Sequence, residues 1–121
     1  MIKFKVEEAW AIDSLSVLEI KLDKFPENPI VRNNYYNFYD NLETQFGQRK
    51  FRDIISSFEY EDLKNVNLLN FDAVDKARAN GDITAKAVDL LNLERHRCKQ
   101  VIQKKFFLEE LREYKNIKNN N

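Results

Sequence analysis

Glycine and proline are almost missing from this chain, two of each in 121 residues. A fold made of many strands and tight turns needs both at its corners, so the scarcity argues against a β-rich architecture. The two glycines, Gly47 and Gly81, stand alone and form no glycine-rich phosphate loop. The single cysteine, Cys98, excludes an intramolecular disulfide and points to a reducing, intracellular setting. The single histidine, His96, lies two residues from Cys98, a spacing that sends two helical side chains to different faces. Neither a Cys-His dyad nor a zinc site follows. No apolar run approaches the roughly 20 residues that cross a bilayer. The opening segment, with Glu7 and Glu8, does not read as a secretory leader. Nor is there an excess of charge: twenty basic residues balance twenty acidic ones, whereas a general nucleic-acid binder carries a basic surplus. The expectation is a cytoplasmic protein, of a cell or an infected host, with no membrane, nucleic-acid or cofactor requirement.

What is present is a charge-rich, amphipathic sequence, 43% hydrophobic and 33% charged. That mixture suits a globular helical chain. Ala11, Leu15, Leu18, Leu22 and Phe25 recur at spacings of four and three, which predicts a first helix from about Val6 to Phe25. Val17 and Ile20 fall off this stripe and ask for a second neighbour. Pro26 and Pro29 end the helix. A second helix is expected over 30–46, with Val31, Tyr35, Phe38, Leu42 and Phe46 on one face and Gly47 as its stop. The short proline turn makes the pair an antiparallel hairpin. Phe51, Ile54, Ile55 and Phe58 suit a short amphipathic helix, and residues 71–79 another. Between them residues 59–70 fit a helix or a loop. A last helix, capped by Asp82 or Thr84, is expected to reach about Tyr114, roughly thirty residues or about 45 Å. The tail from about 115 should fray. The fold class expected is all-α: one domain over 1–121, a small bundle of two helical hairpins with an irregular middle and a long C-terminal helix.

Arg95 breaks the pattern. It sits at the centre of the last helix's apolar stripe, formed by Val88, Leu91, Cys98, Ile102 and Phe106. A buried guanidinium left alone is very costly, so it needs a carboxylate or an anionic ligand. Glu19 borders the stripe of the first helix and is the expected partner. Asp13, Ser16 and Asp23 lie further round. One reading of Glu19 and Arg95 is a structural ion pair that fixes register. The other is an anion pocket. Residues 95–108 contain no acid, and Arg95, Arg97, Lys99 and Lys104 are the candidate anion ligands, set against a plain solvated basic face. Carboxylates cluster at Glu59-Glu61-Asp62, at Asp72 with Asp75, and at Glu109-Glu110 with Glu113. Such pairs from two helices hold magnesium in all-α nucleotide pyrophosphatases, but these lack apolar surroundings. No metal site and no catalytic residue is assigned.

The segment Ile12-Asp13-Ser14-Leu15-Ser16-Val17-Leu18-Glu19-Ile20-Lys21-Leu22 resembles the opening of a group of small helical proteins of bacteria and their phages. Asn92-Leu93-Glu94-Arg95-His96-Arg97-Cys98-Lys99 is similar to their second motif, a polar run in the final helix. Together these cover about a third of the chain. The resemblance implies an all-helical fold with Glu19 facing Arg95, and carries no activity. The function expected is therefore non-catalytic: an accessory or binding protein, in keeping with a phage origin. It would act through a protein partner or a small anionic ligand such as phosphate or a nucleotide. A magnesium-dependent nucleotide hydrolase and a structural subunit that self-associates through its last helix are the alternatives.

Overall fold

Five helices follow one another without a strand among the described residues: α1 (Glu8–Lys24), α2 (Pro29–Phe46), α3 (Gln48–Ile55), α4 (Phe58–Asn80) and α5 (Ala85–Phe107). The computed structural model describes residues 7–80 and 85–108, the side chains of 77–80 excepted. The expected caps Asp82 and Thr84, the acids Glu109, Glu110 and Glu113, and the tail lie outside that range.

The helix boundaries have local causes. Pro29 occupies the first turn of α2, where a missing N–H costs nothing. Asn28 caps it, its Oδ1 accepting from the amides of Ile30 (3.0 Å) and Val31 (3.3 Å). Gly47 separates α2 from α3 with φ at 88°, a conformation open to glycine and strained for most other residues. Ser57 caps α4, its hydroxyl accepting from the Tyr60 amide at 3.1 Å. α5 closes earlier than expected, at Phe107, because Leu108 turns left-handed at φ 55°.

The middle is more regular than the pattern suggested. Residues 58–80 form one unbroken helix that pairs with α5 as the second hairpin. Tyr60, Leu63, Val66, Asn67 and Ala73 are its buried side chains, at helical spacing. Its stripe is hard to see in the sequence because the buried Asn67 and the half-buried Asn70 are polar.

α1 lies at the centre, against α2 on one side and α4 and α5 on the other. Ala9, Ile12 and Leu15 of α1, Leu42 of α2, Phe51 and Ile54 of α3, Leu63 of α4 and Ile102 of α5 make the core. Ile20, off the expected stripe, is buried as a second neighbour would require, while Phe25 is half exposed. α3 and the end of α2 add aromatic packing: Tyr39 meets Phe51 edge-on at 4.8 Å, and Phe46 meets Phe107 at 5.2 Å. Among the described residues, no helix is long and apolar enough to cross a membrane.

Candidate functional site

The deepest polar cluster joins three helices. Asp13 and Ser16 stand three apart on one face of α1, and both are buried, Asp13 at 2% exposure. Arg95 of α5 grips the Asp13 carboxylate at two points, Nε to Oδ1 at 3.0 Å and Nη2 to Oδ2 at 2.5 Å. This planar two-point fit is the strongest pairing a guanidinium makes. Asn67 of α4, 4% exposed, donates through Nδ2 to Asp13 Oδ1 (2.8 Å) and to Ser16 Oγ (2.7 Å). The Ser16 hydroxyl donates in turn to the Asp13 carbonyl at 2.7 Å.

The expected pairing of Glu19 with Arg95 is therefore corrected. Arg95 does take a carboxylate of α1, but from the turn nearer its N-terminus. Glu19 instead accepts a short hydrogen bond from the Tyr60 hydroxyl and another from Lys64 Nζ at 3.1 Å. Lys64 also donates to Asp23 at 3.0 Å. Burial works against the Lys64 charge, yet the bonds to Asp23 and Glu19 hold its pKa above the ordinary lysine value. The same surroundings act on two phenols. Burial, then the hydrogen bond to Glu19, pushes Tyr60 far upward, and burial and the Glu19 charge push Tyr35 up to about 12.

The four cations expected around an anion are divided. Arg95 is committed to Asp13. Lys99 is buried, with Nζ 3.4 Å from the centre of the Trp10 ring, a cation–π contact. Arg97 is exposed and pairs with Glu94 one turn back. Lys104 is exposed. Arg95 and Lys99 do share a hollow of about 220 Å³ with Trp10, Asn92 and His96. Arg97 faces a different groove.

Hydropathy had given no sign of Gln103 either. Fully buried, its Oε1 accepts from the Ala9 amide (2.9 Å) and its Nε2 donates to Glu8 (2.8 Å), which satisfies the start of α1 from ninety-four residues away.

Beside the Asp13–Arg95 pair opens a cleft of about 400 Å³. Its walls include Val17 of α1, Asn67, Asn70, Phe71 and Val74 of α4, and Val88, Asn92 and Arg95 of α5. Two polar atoms of this wall, Asn67 Oδ1 and Asn70 Nδ2, are buried without a hydrogen-bond partner. An unmade hydrogen bond in such a place costs roughly 1–3 kcal/mol. Asp75 stands on the same wall.

Of the expected acid pairs, Asp72 bonds Lys24 at 3.2 Å and Glu59 bonds Lys105 at 2.6 Å, the latter bond holding Glu59 below the usual carboxylate range. Among the described residues, no three His, Cys, Asp or Glu side chains gather as a metal would require. No known family, curated protein or solved structure matches the chain.

Proposed function

We propose that this chain is a non-catalytic binding protein whose ligand enters the cleft beside Arg95. The observation that carries the reading is the pair of orphaned groups there, the Asn67 acceptor and the Asn70 donor, next to a guanidinium whose Nη1 is not used in the grip on Asp13. A cleft of about 400 Å³ falls within the roughly 300–1,000 Å³ range of small-molecule sites. Val17, Phe71, Val74 and Val88 offer apolar walls for the ligand body.

Charge balance narrows the ligand. Asp13 already neutralises Arg95, and Asp75 adds a negative charge, so a phosphate would compete with one carboxylate and face another. A small uncharged ligand with an amide edge suits the site better. Its N–H would meet Asn67 Oδ1, and its carbonyl would meet Asn70 Nδ2 or Arg95. The two asparagine atoms are closed to solvent, so binding requires both side chains to turn outward, Asn67 giving up its bonds to Asp13 and Ser16 for bonds to the ligand.

The test is chemical-shift mapping on the ¹⁵N-labelled chain, titrated with uracil, nicotinamide and inorganic phosphate in turn. Shifts at Val17, Asn70, Val74 and Val88 with the amides, and none with phosphate, are expected. Shifts with phosphate alone would restore the anionic ligand. Silence with all three would remove the cleft as a binding site.

A further inference from the structure

Asn92 and Arg95 belong to two hollows at once, the cleft of about 400 Å³ and the smaller one of about 220 Å³ at Trp10. The Arg95 side chain is 33% exposed, so the ridge between the two is open to solvent. The hollows differ in charge. Asp75 stands on the wall of the cleft. The smaller hollow is completed by Trp10, His96 and Lys99, with no carboxylate among its lining residues. Lys99 therefore adds a positive charge beyond the Arg95–Asp13 pair. Its ammonium is 3% exposed and lies against the Trp10 ring. A charge so little screened by water attracts an anion more strongly than a surface lysine does. His96 stands edge-on to Trp10, ring centres 6.3 Å apart, and brings an imidazole to the same rim.

We propose that the ligand is a nucleoside monophosphate that bridges the two hollows. Its amide-edged base lies in the cleft, its sugar crosses Asn92 and Arg95, and its phosphate sits by Lys99 and His96. This rests on the reading of the cleft as the site of an uncharged amide edge, and adds what that edge is attached to. Asn92, Arg95, His96 and Lys99 share one edge of α5, since three- and four-residue steps stay on one helical face. Along that edge Asn92 and Lys99 are about 10 Å apart in rise. A base joined to a phosphate through one sugar has that reach. The Asn92 side chain offers a donor and an acceptor to sugar hydroxyls. The phosphate keeps clear of Asp75, takes a charge-assisted hydrogen bond from Lys99, and leaves the Arg95 grip on Asp13 in place.

The test compares uridine with uridine monophosphate on the ¹⁵N-labelled full chain at low salt. Uridine should move the signals of Val17, Asn70, Val74 and Val88. The monophosphate should move these and also the Trp10 indole N–H and the His96 amide. It should bind about tenfold tighter than uridine, the worth of one hydrogen bond to a charged group. Raising the salt should shrink that advantage. Lys99→Met keeps an apolar stem against Trp10 and loses the charge, so it should erase the advantage and leave uridine affinity unchanged. His96→Ala should reduce the advantage with unchanged helicity, which keeps the test open if Lys99→Met does not fold. Equal affinity for the two ligands, with Trp10 and His96 unmoved, overturns the inference and leaves the amide-edge reading standing. Shifts at Trp10 and His96 with Val74 and Val88 unmoved also overturn it, because the phosphate would then bind without the base. Silence with both ligands and with uracil removes the reading on which the inference rests.

Discussion

The two faces of α5 carry opposite chemistry to the one a lone amphipathic helix would show. Its inward face buries Lys99, Gln100 and Gln103 beside Ile102 and sets Arg95 on Asp13, while its outward face leaves Leu90, Leu93 and Val101 in the open. Arg95, Lys99 and Gln103 are held by Asp13, Trp10, Glu8 and Ala9 of α1, and such groups are expensive to leave half-satisfied. Among the described residues the apolar groups outside stay largely exposed. The inner face therefore fixes how the bundle assembles, and the outer face is free to meet another surface.

Breaking the inner face should cost most. Asp13→Ala leaves the Arg95 guanidinium without its carboxylate and is expected to lose about 2–4 kcal/mol, less than for a wholly buried pair because that guanidinium is a third exposed. Chemical denaturation measures it, and a loss below about 1 kcal/mol would mean that water solvates Arg95 adequately. Gln103→Ala should follow, at about 1–3 kcal/mol, because the Ala9 amide loses its acceptor. Equal stability of Gln103→Ala and the parent would show that water replaces the amide.

How much of this could be read beforehand depends on which residues carry the signal. The proline stop, Gly47 and the aromatic face of α2 are local, so the first hairpin was legible. Arg95 stood out because a charge interrupts an otherwise apolar row. Its partner did not. The stripe traced through Ala11, Leu18 and Leu22 ignored Asp13 and Ser16, because polarity hides burial. The buried edge runs through Ala9, Ile12, Asp13, Leu15, Ser16 and Ile20, so of the expected stripe only Leu15 lies on it. Asn67 and Asn70 concealed α4 in the same way. Gln103, Lys99 and the orphaned amides appear only when three helices are brought together, since no spacing within one segment encodes them.

The other side of α1 sharpens the contrast at high pH. Tyr35 and Tyr60 have raised pKa values, so the folded chain keeps phenolic protons that the unfolded chain releases. Each contribution to stability is whole below the ordinary value of 10.0; that of Tyr35 is lost as pH rises through about 12, and that of Tyr60, held further up, at higher pH still. Tyrosinate absorbance should therefore rise in two steps, the later one coinciding with loss of helicity. Complete ionisation of all five tyrosines near pH 10 with the helices intact would contradict this. The smallest effect belongs to the outer face. In dilute solution Leu93→Lys should change monomer stability by no more than about 0.5 kcal/mol. A loss of 2 kcal/mol would place Leu93 in the monomer core.

A pair of double-mutant cycles tests the polar interior most directly. Combining Asp13→Ala with Arg95→Ala should give a coupling of about 1.5 kcal/mol or more, whereas Glu19→Ala with Arg95→Ala should be additive within about 0.5 kcal/mol. Additivity in the first cycle, or strong coupling in the second, would contradict the assignment of Asp13 as the carboxylate that holds Arg95 inside the bundle.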